Sequence, residues 1–67
     1  MTNEAKMMVN MAMSIAEINN TMISRLDLQR HEHTHKNGDI TAWYHLDVWF
    51  TDGKEITIRE DCTIVNK

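Results

Sequence analysis

The chain has 67 residues, 42% of them hydrophobic, one cysteine and a formal net charge of -3 at pH 7. A domain this small hides only about 60% of the surface that its unfolded chain exposes, so one thin core is all that the length allows. The single cysteine excludes an internal disulfide, and the mild charge, without a basic run, argues against nucleic acid as a partner. No basic stretch precedes an apolar run at the start, so membrane insertion and secretion are not expected and the cytosol is the expected compartment.

The first predicted element is a helix over residues 3–19, which contain no glycine, no proline and few β-branched residues. Thr2 or Asn3 can cap its first turn, and Glu4 favours the helix dipole. The apolar stripe consists of Ala5, Met8, Ala12, Ile15 and either Ile18 or Asn19, widened by Met7 and Met11. This arc is wider than one small sheet readily covers, which favours a homodimer. Asparagines at 19 and 20 suit the end of the helix, because Asn tolerates the left-handed conformation found there.

After residue 21 the hydrophobic period becomes two. In residues 40–50 every even position is apolar, whereas the odd positions hold Thr, Trp, His and Asp. The same even parity is shared by Leu26, Leu28, Ile56, Ile58, Cys62 and Ile64. A sheet places residues of one parity on one face, so the pattern predicts strands at 22–35, 40–50 and 54–64.

Parity also sets the turns between these strands. Residues 36–38 (KNG) and 51–53 (TDG) are predicted to form three-residue loops with glycine in the left-handed position, since a two-residue turn would flip the partner strand. The predicted fold is α+β, one N-terminal helix packed on a three-stranded antiparallel meander (αβββ), forming a single domain over residues 1–67. An alternative continues the helix through residue 28, because Ile15, Ile18, Met22 and Leu26 keep helical spacing.

In the predicted register Leu28 faces Leu46, and Val48 lies between Leu26 and Ile56. The first hairpin is longer than its cover, since 11 strand residues span about 35 Å at ~3.3 Å each and a 17-residue helix only about 25 Å at ~1.5 Å each. The hairpin tip is therefore expected to project past the core as an arm.

His31, His33 and His45 share the odd face of the sheet, which points away from the helix. A His-x-His pair on a strand with a third histidine across the ladder can bind zinc. Against a metal site, the face is open to water and no carboxylate is obviously placed to orient the rings. A sensor of pH would need a bistable element that the sequence does not show. The main interpretation is that the histidines form the polar rim of the arm.

Other chemistry has less support. Cys62 has the parity of the apolar face and is interpreted as a buried small residue rather than a reactive thiolate. No serine has an obvious histidine partner, and both glycines are assigned to turns. An enzyme is therefore not expected, and no cofactor other than zinc in the alternative interpretation.

Trp43 and Trp49 lie on the odd face, with His45 and Asp47 between them. Exposed tryptophans are typical of binding hot spots, although these two could instead pack against Arg25, Glu55 and Arg59. The predicted function is a small non-catalytic interaction protein, a homodimer acting as an inhibitor or adaptor, of the kind that phages and mobile elements direct against host or defence proteins. Its predicted partner-binding residues are Trp43, Trp49, His45, Asp47, His31 and His33. The alternative is a module that binds zinc through His31, His33 and His45.

Overall fold

The computed structural model describes residues 2–67. Helix α1 spans Asn3–Ile18 and is followed by strands β1 (Ile23–Thr34), β2 (Ile40–Phe50), β3 (Glu55–Arg59) and β4 (Ile64–Asn66). The strands form one antiparallel sheet in the order β1-β2-β3-β4. The predicted α+β class, one helix with an antiparallel sheet, is confirmed, but the described sheet has four strands and not three.

The ends of α1 follow from the residues that flank it. Thr2 Oγ1 accepts a hydrogen bond from the Ala5 N–H at 3.1 Å, which satisfies one of the free donors of the first turn. At the other end Asn20 adopts the left-handed conformation with φ 51°, and the Thr21 N–H bonds back to the Ala16 carbonyl at 2.9 Å. The chain then enters β1 at Ile23, so the alternative of a helix continued through residue 28 is wrong.

The helix packs on the even face of the sheet. The register places Leu28 opposite Leu46, Leu26 opposite Val48 and Val48 opposite Ile56, as parity predicts. A bulge between Ile23 and Arg25 reverses the parity at the start of β1, so that Ile23 packs against the core. The buried side chains are Ala5, Met8, Ala12, Ala16, Leu46, Val48, Phe50, Ile56 and Ile58.

Three loops of one design connect the strands. In each, the residue before the loop donates its N–H to the carbonyl of the residue after it, at 2.7 Å for His35 and Asp39 and at 2.9 Å for the other two loops. The side chains of Asn37, Asp52 and Asp61 each accept a hydrogen bond at 3.0 Å from the N–H two residues on. Gly38 and Gly53 have φ of 91° and 90°, which confirms the two predicted loops.

The third loop, residues 60–62, corrects the predicted third strand. Strand pairing stops at Arg59 and resumes at Ile64, so residues 54–64 are not one strand. Cys62 occupies the position that glycine holds in the other loops, with φ 68°. The interpretation of Cys62 as a buried residue on the even face is therefore wrong: it lies in a turn and is partly exposed. The sequence pattern could not reveal this loop, because Cys62 continues the even apolar positions and no glycine marks a turn.

The first hairpin extends beyond the helix, as its length predicts. We call residues 30–44 the arm: on its even face Ile40 is 62% exposed, whereas burial along β2 begins at Leu46. The buried residues of the sheet lie on β2 and β3, whereas Leu26 and Leu28 of β1 remain 39% and 37% exposed. Among the helices of residues 2–67, none is long and apolar enough to cross a membrane.

Candidate functional site on the outer face of the sheet

The odd-numbered side chains of β2 and β3, together with those of β1 after its bulge, form the sheet surface opposite α1, which we call the outer face. No helix or strand among residues 2–67 covers it. Its central row lies on β2, where Trp43, His45, Asp47 and Trp49 follow one another at every second position. Strand β1 adds His31 beside Trp43, since these two residues are partners in the ladder.

A chain of hydrogen bonds crosses three strands on this face. His31 Nε2 and His45 Nδ1 are 2.6 Å apart, and His45 Nε2 lies 3.2 Å from Asp47 Oδ2. Because a carboxylate can only accept, His45 donates to Asp47 from Nε2, and in its neutral form its Nδ1 accepts from the Nε2–H of His31. Thr57 Oγ1 donates to Asp47 Oδ1 at 2.6 Å and completes the chain on β3. The chain holds both imidazoles in fixed orientations.

Asp47 is the anchor of this chain. Its side chain is only 13% exposed, and Lys67 Nζ contributes a further contact at 3.1 Å. Burial opposes ionisation, but the hydrogen bonds from Thr57, Lys67 and His45 outweigh it and hold the pKa of the Asp47 carboxyl below its ordinary value. A carboxylate does orient a histidine here, contrary to the sequence-based expectation.

The two tryptophans are held differently. The Trp43 ring stacks on His31 with 5.6 Å between ring centroids, the hydrogen-bonded rings of His31 and His45 have their centroids 4.6 Å apart, and Trp43 remains 40% exposed. Trp49 is partly buried, and the Arg25 guanidinium lies 4.8 Å from its ring centroid. Packing against Arg25 thus accounts for Trp49, while Trp43 keeps a large apolar surface open.

His33 lies outside this group. Its ring packs edge-on against His35 at 4.8 Å, nearer the tip of the arm, and its partner in the ladder is Thr41. Of the predicted zinc ligands the structure therefore brings His31 and His45 together and leaves His33 apart. Within residues 2–67 no three His, Cys, Asp or Glu side chains are grouped so that they could hold a metal ion.

A depression adjoins the open side of the stack. It has a volume of about 500 Å³ and is lined by Trp43, His45, Thr57, Arg59 and Asp61, among others. A larger groove of about 830 Å³ lies on the helix side, between Ile15, Phe50 and Ile56, away from the histidines. The depression is the one that belongs to the outer face, and it offers a recess beside an exposed aromatic ring.

Sequence reasoning missed two members of the site. Thr57 could have been found, because the predicted register that sets Val48 opposite Ile56 also sets Asp47 opposite Thr57. Lys67 carries no such signal, since it follows β4 and reaches Asp47 only because the third loop returns the chain along β3.

No protein family model matches the chain, and the searches of curated proteins and of solved structures also found no match.

Proposed function

We propose that this chain is a non-catalytic protein-protein interaction module, working as a homodimer, that binds another protein through its outer face and acts as an inhibitor or adaptor. The observation that carries the proposal is Trp43, which is 40% exposed on a sheet face that no described element covers. Large apolar side chains presented in this way mark interaction sites, and Trp is enriched among the residues that dominate binding energy.

The order of the site supports binding. Trp43 is stacked on His31, and His31 is fixed through His45 to the buried carboxylate of Asp47. A ring that is already immobile loses little side-chain entropy when a partner covers it. The depression beside Trp43 gives a partner side chain a place to enter.

The same groups offer little for catalysis. The hydrogen-bonded chain ends on the hydroxyl of Thr57, which donates to Asp47, and the lowered pKa of the Asp47 carboxyl makes it a weak base for activating that hydroxyl. Cys62 lies in the third loop, where its N–H bonds to the Arg59 carbonyl at 2.8 Å. We therefore propose a binding role and not an enzymatic one, directed at a host or defence protein if a mobile element encodes the chain.

The experiment is capture of binding proteins from a lysate of the source organism, followed by measurement with the purified partner. Wild type is compared with Trp43→Ala and with Met13→Ala, which removes an even more exposed apolar side chain from the helix. We expect Trp43→Ala to weaken binding of the purified partner by about 30-fold, the effect of a hot-spot residue, and Met13→Ala to leave it unchanged. Equal binding by all three proteins would remove the outer face from consideration.

A second candidate is the zinc module, favoured by the convergence of His31 Nε2 and His45 Nδ1 and by the carboxylate behind His45. In this candidate His33 would have to turn from His35 to become the third ligand. Thermal unfolding in EDTA and with equimolar zinc distinguishes the two. A large rise in Tm with zinc, lost in His45→Gln, supports the metal candidate, whereas identical curves support the interaction module alone.

A further inference from the structure

Strand β1 forms one edge of the sheet, and its outward backbone groups are free within the described chain. The His35 N–H bonds to the Asp39 carbonyl across the first hairpin, so the odd residues of β1 direct their N–H and C=O toward β2. The backbone groups of the even residues, from Leu26 to Thr34, consequently point away from the sheet. A strand can add to this edge without breaking any hydrogen bond that the chain already makes.

The two edges of the sheet differ in how they are protected. Strand β4 has three residues, whereas β1 has twelve and is regular after its bulge. Short strands and bulges are the devices that keep an edge from pairing. On β1, moreover, Leu26 and Leu28 carry both the free backbone groups and exposed apolar side chains. The edge thus offers hydrogen bonds and apolar contact at the same residues.

We propose that β1 pairs with β1 of a second copy, antiparallel, about a two-fold axis at Leu28. The two sheets join into one of eight strands, and both helices lie on the same side of it. This proposal rests on the homodimer in the proposed function and supplies its interface; binding of another protein through the outer face is independent of it.

The charges on β1 determine which two-fold arrangement is acceptable. An axis at Asp27, Arg30 or Glu32 sets that residue opposite its own copy, and like charges directly opposed destabilise a strand pair. An axis at Leu28 opposes no like charges and sets Leu28 against Leu28, with Leu26 against the aliphatic part of Arg30.

Other axes avoid self-opposed charges but use the leucines or the regular part of the strand less well. An axis at Leu26 sets Leu28 opposite Ser24, which lies in the bulge of β1. An axis at Gln29 sets Leu28 opposite Arg30 and Leu26 opposite Glu32. An axis at His31 leaves Leu26 beyond the paired segment. The Leu28 axis is therefore the one that joins the exposed leucines of both copies without a charge conflict.

Cross-linking tests the arrangement. The Cα atoms of directly opposed, hydrogen-bonded residues are about 5.5 Å apart, which lies inside the range that a disulfide spans. In a Cys62→Ser background, Leu28→Cys is expected to form a covalent dimer under mild oxidation. Glu32→Cys in the same background, which falls opposite Ser24, is expected to form at least tenfold less. Equal cross-linking of both variants, or none from Leu28→Cys, overturns the arrangement.

Sedimentation equilibrium tests the edge itself. Arg30→Pro removes an N–H that points outward and is unused in the sheet, so the fold is retained, and Arg30→Ala is the matched control for loss of the side chain. We expect the dimer dissociation constant to rise at least tenfold in Arg30→Pro compared with Arg30→Ala. Leu28→Lys, which opposes two charges at the axis, gives the same test without proline. A wild-type chain that stays monomeric, or a dimer unaffected by Arg30→Pro and Leu28→Lys, overturns the proposal.

Failure of the proposed β1 dimer interface can be distinguished from failure of partner binding through the outer face. Trp43→Ala is expected to leave the dimer dissociation constant within twofold of wild type, because Trp43 is on β2 and makes no part of the free edge. Loss of dimerisation in Trp43→Ala would overturn the β1 interface and assign the dimer contact to the outer face.

Discussion

Cys62 occupies a loop position whose positive φ favours glycine, and its backbone is therefore strained. The three loops have the same hydrogen bonds and the same Asx side-chain contact, yet Gly38 and Gly53 have φ near 90° by preference and Cys62 has φ 68° under strain. A non-glycine residue in this region is disfavoured by roughly 1–2 kcal/mol. The third loop is therefore a local weakness of the fold.

Replacing Cys62 by glycine should stabilise the protein. The relief of strain exceeds the cost of a freer unfolded chain, which is about 0.4–1 kcal/mol, so we expect a net gain of about 0.5–1 kcal/mol in the free energy of unfolding. Chemical denaturation measures it. Gly53→Ala is the opposite control: an added Cβ would meet nothing within 4 Å, so the loss of stability expected there comes from the backbone alone. A destabilised Cys62→Gly would show that the Cys62 side chain contributes more than its backbone costs.

Asp47 predicts how stability responds to acid. The pKa of its carboxyl is lowered in the folded chain, chiefly by the hydrogen bonds from Thr57 and Lys67 acting against burial, so the ionised form is stabilised by folding. That contribution is fully present above the unfolded pKa, about 3.9, and is lost as the pH falls through the folded value. Asp47→Asn should therefore reduce stability at pH 7 and flatten the decline of Tm as the pH falls below about 4. Glu17→Gln, on the exposed side of α1, should keep the wild-type slope; equal slopes in both variants would contradict the role of Asp47.

At the scale of elements, the helix determines which parts of the sheet are rigid. Ala5, Ala12 and Ala16 present small side chains to the sheet, and the buried residues beneath α1 lie on β2 and β3. The arm has no such cover, and its even face remains exposed. The β1–β2 ladder keeps one register along its whole length, but its local stability differs between its two ends. The arm should open more easily than the part under α1, because opening is easiest where few apolar contacts are lost.

Amide hydrogen exchange should reveal this difference. Thr41 and Asp47 both pair with β1, but Thr41 lies in the arm, whereas Asp47 lies between the buried residues Leu46 and Val48. At a concentration low enough to keep the chain monomeric, we expect the Thr41 amide to exchange at least tenfold faster than the Asp47 amide. At high protein concentration the difference between the two exchange rates should decrease if β1 pairs with a second copy. Equal protection of both amides at low concentration would contradict an independently opening arm.

The whole molecule is elongated for its size. Its extents are 47 × 23 × 17 Å and its radius of gyration is 13.6 Å, whereas a compact 67-residue domain would have a radius near 11 Å. The arm accounts for the length, and it leaves a core of few large side chains: Met8, Leu46, Val48 and Ile58 are the largest that are fully buried. A chain with so small a core gains much from a partner subunit.

The Tm should therefore depend on protein concentration. Dissociation accompanies unfolding in a dimer of marginal subunits, so the equilibrium shifts with concentration. We expect Tm to rise by about 3–6 °C for each tenfold increase in concentration. Calorimetry measures it, with Arg30→Pro as the control that should lose the dependence. A Tm independent of concentration for the wild type would argue for a monomer.

Much of this architecture could be predicted because it depends on local periodicity. Side chains two residues apart on a strand share a face, so the apolar residues at even positions of β1, β2 and β3 had to lie on one surface, and this required three-residue loops at Gly38 and Gly53. The same alternation placed Trp43 and His45 on the opposite face. These conclusions needed no knowledge of distances.

The remainder depends on packing between elements, which periodicity does not encode. A third loop without glycine was hidden because Cys62 continued the even pattern, and the exposure of Leu26 and Leu28 depends on where the helix settles across the sheet. The joining of His31 to His45 and Asp47, and not to His33, depends on side-chain orientations across three strands. Alternation assigns each residue to a face, but the neighbours that it touches there are determined by the twist, rotamers and cover of the folded sheet.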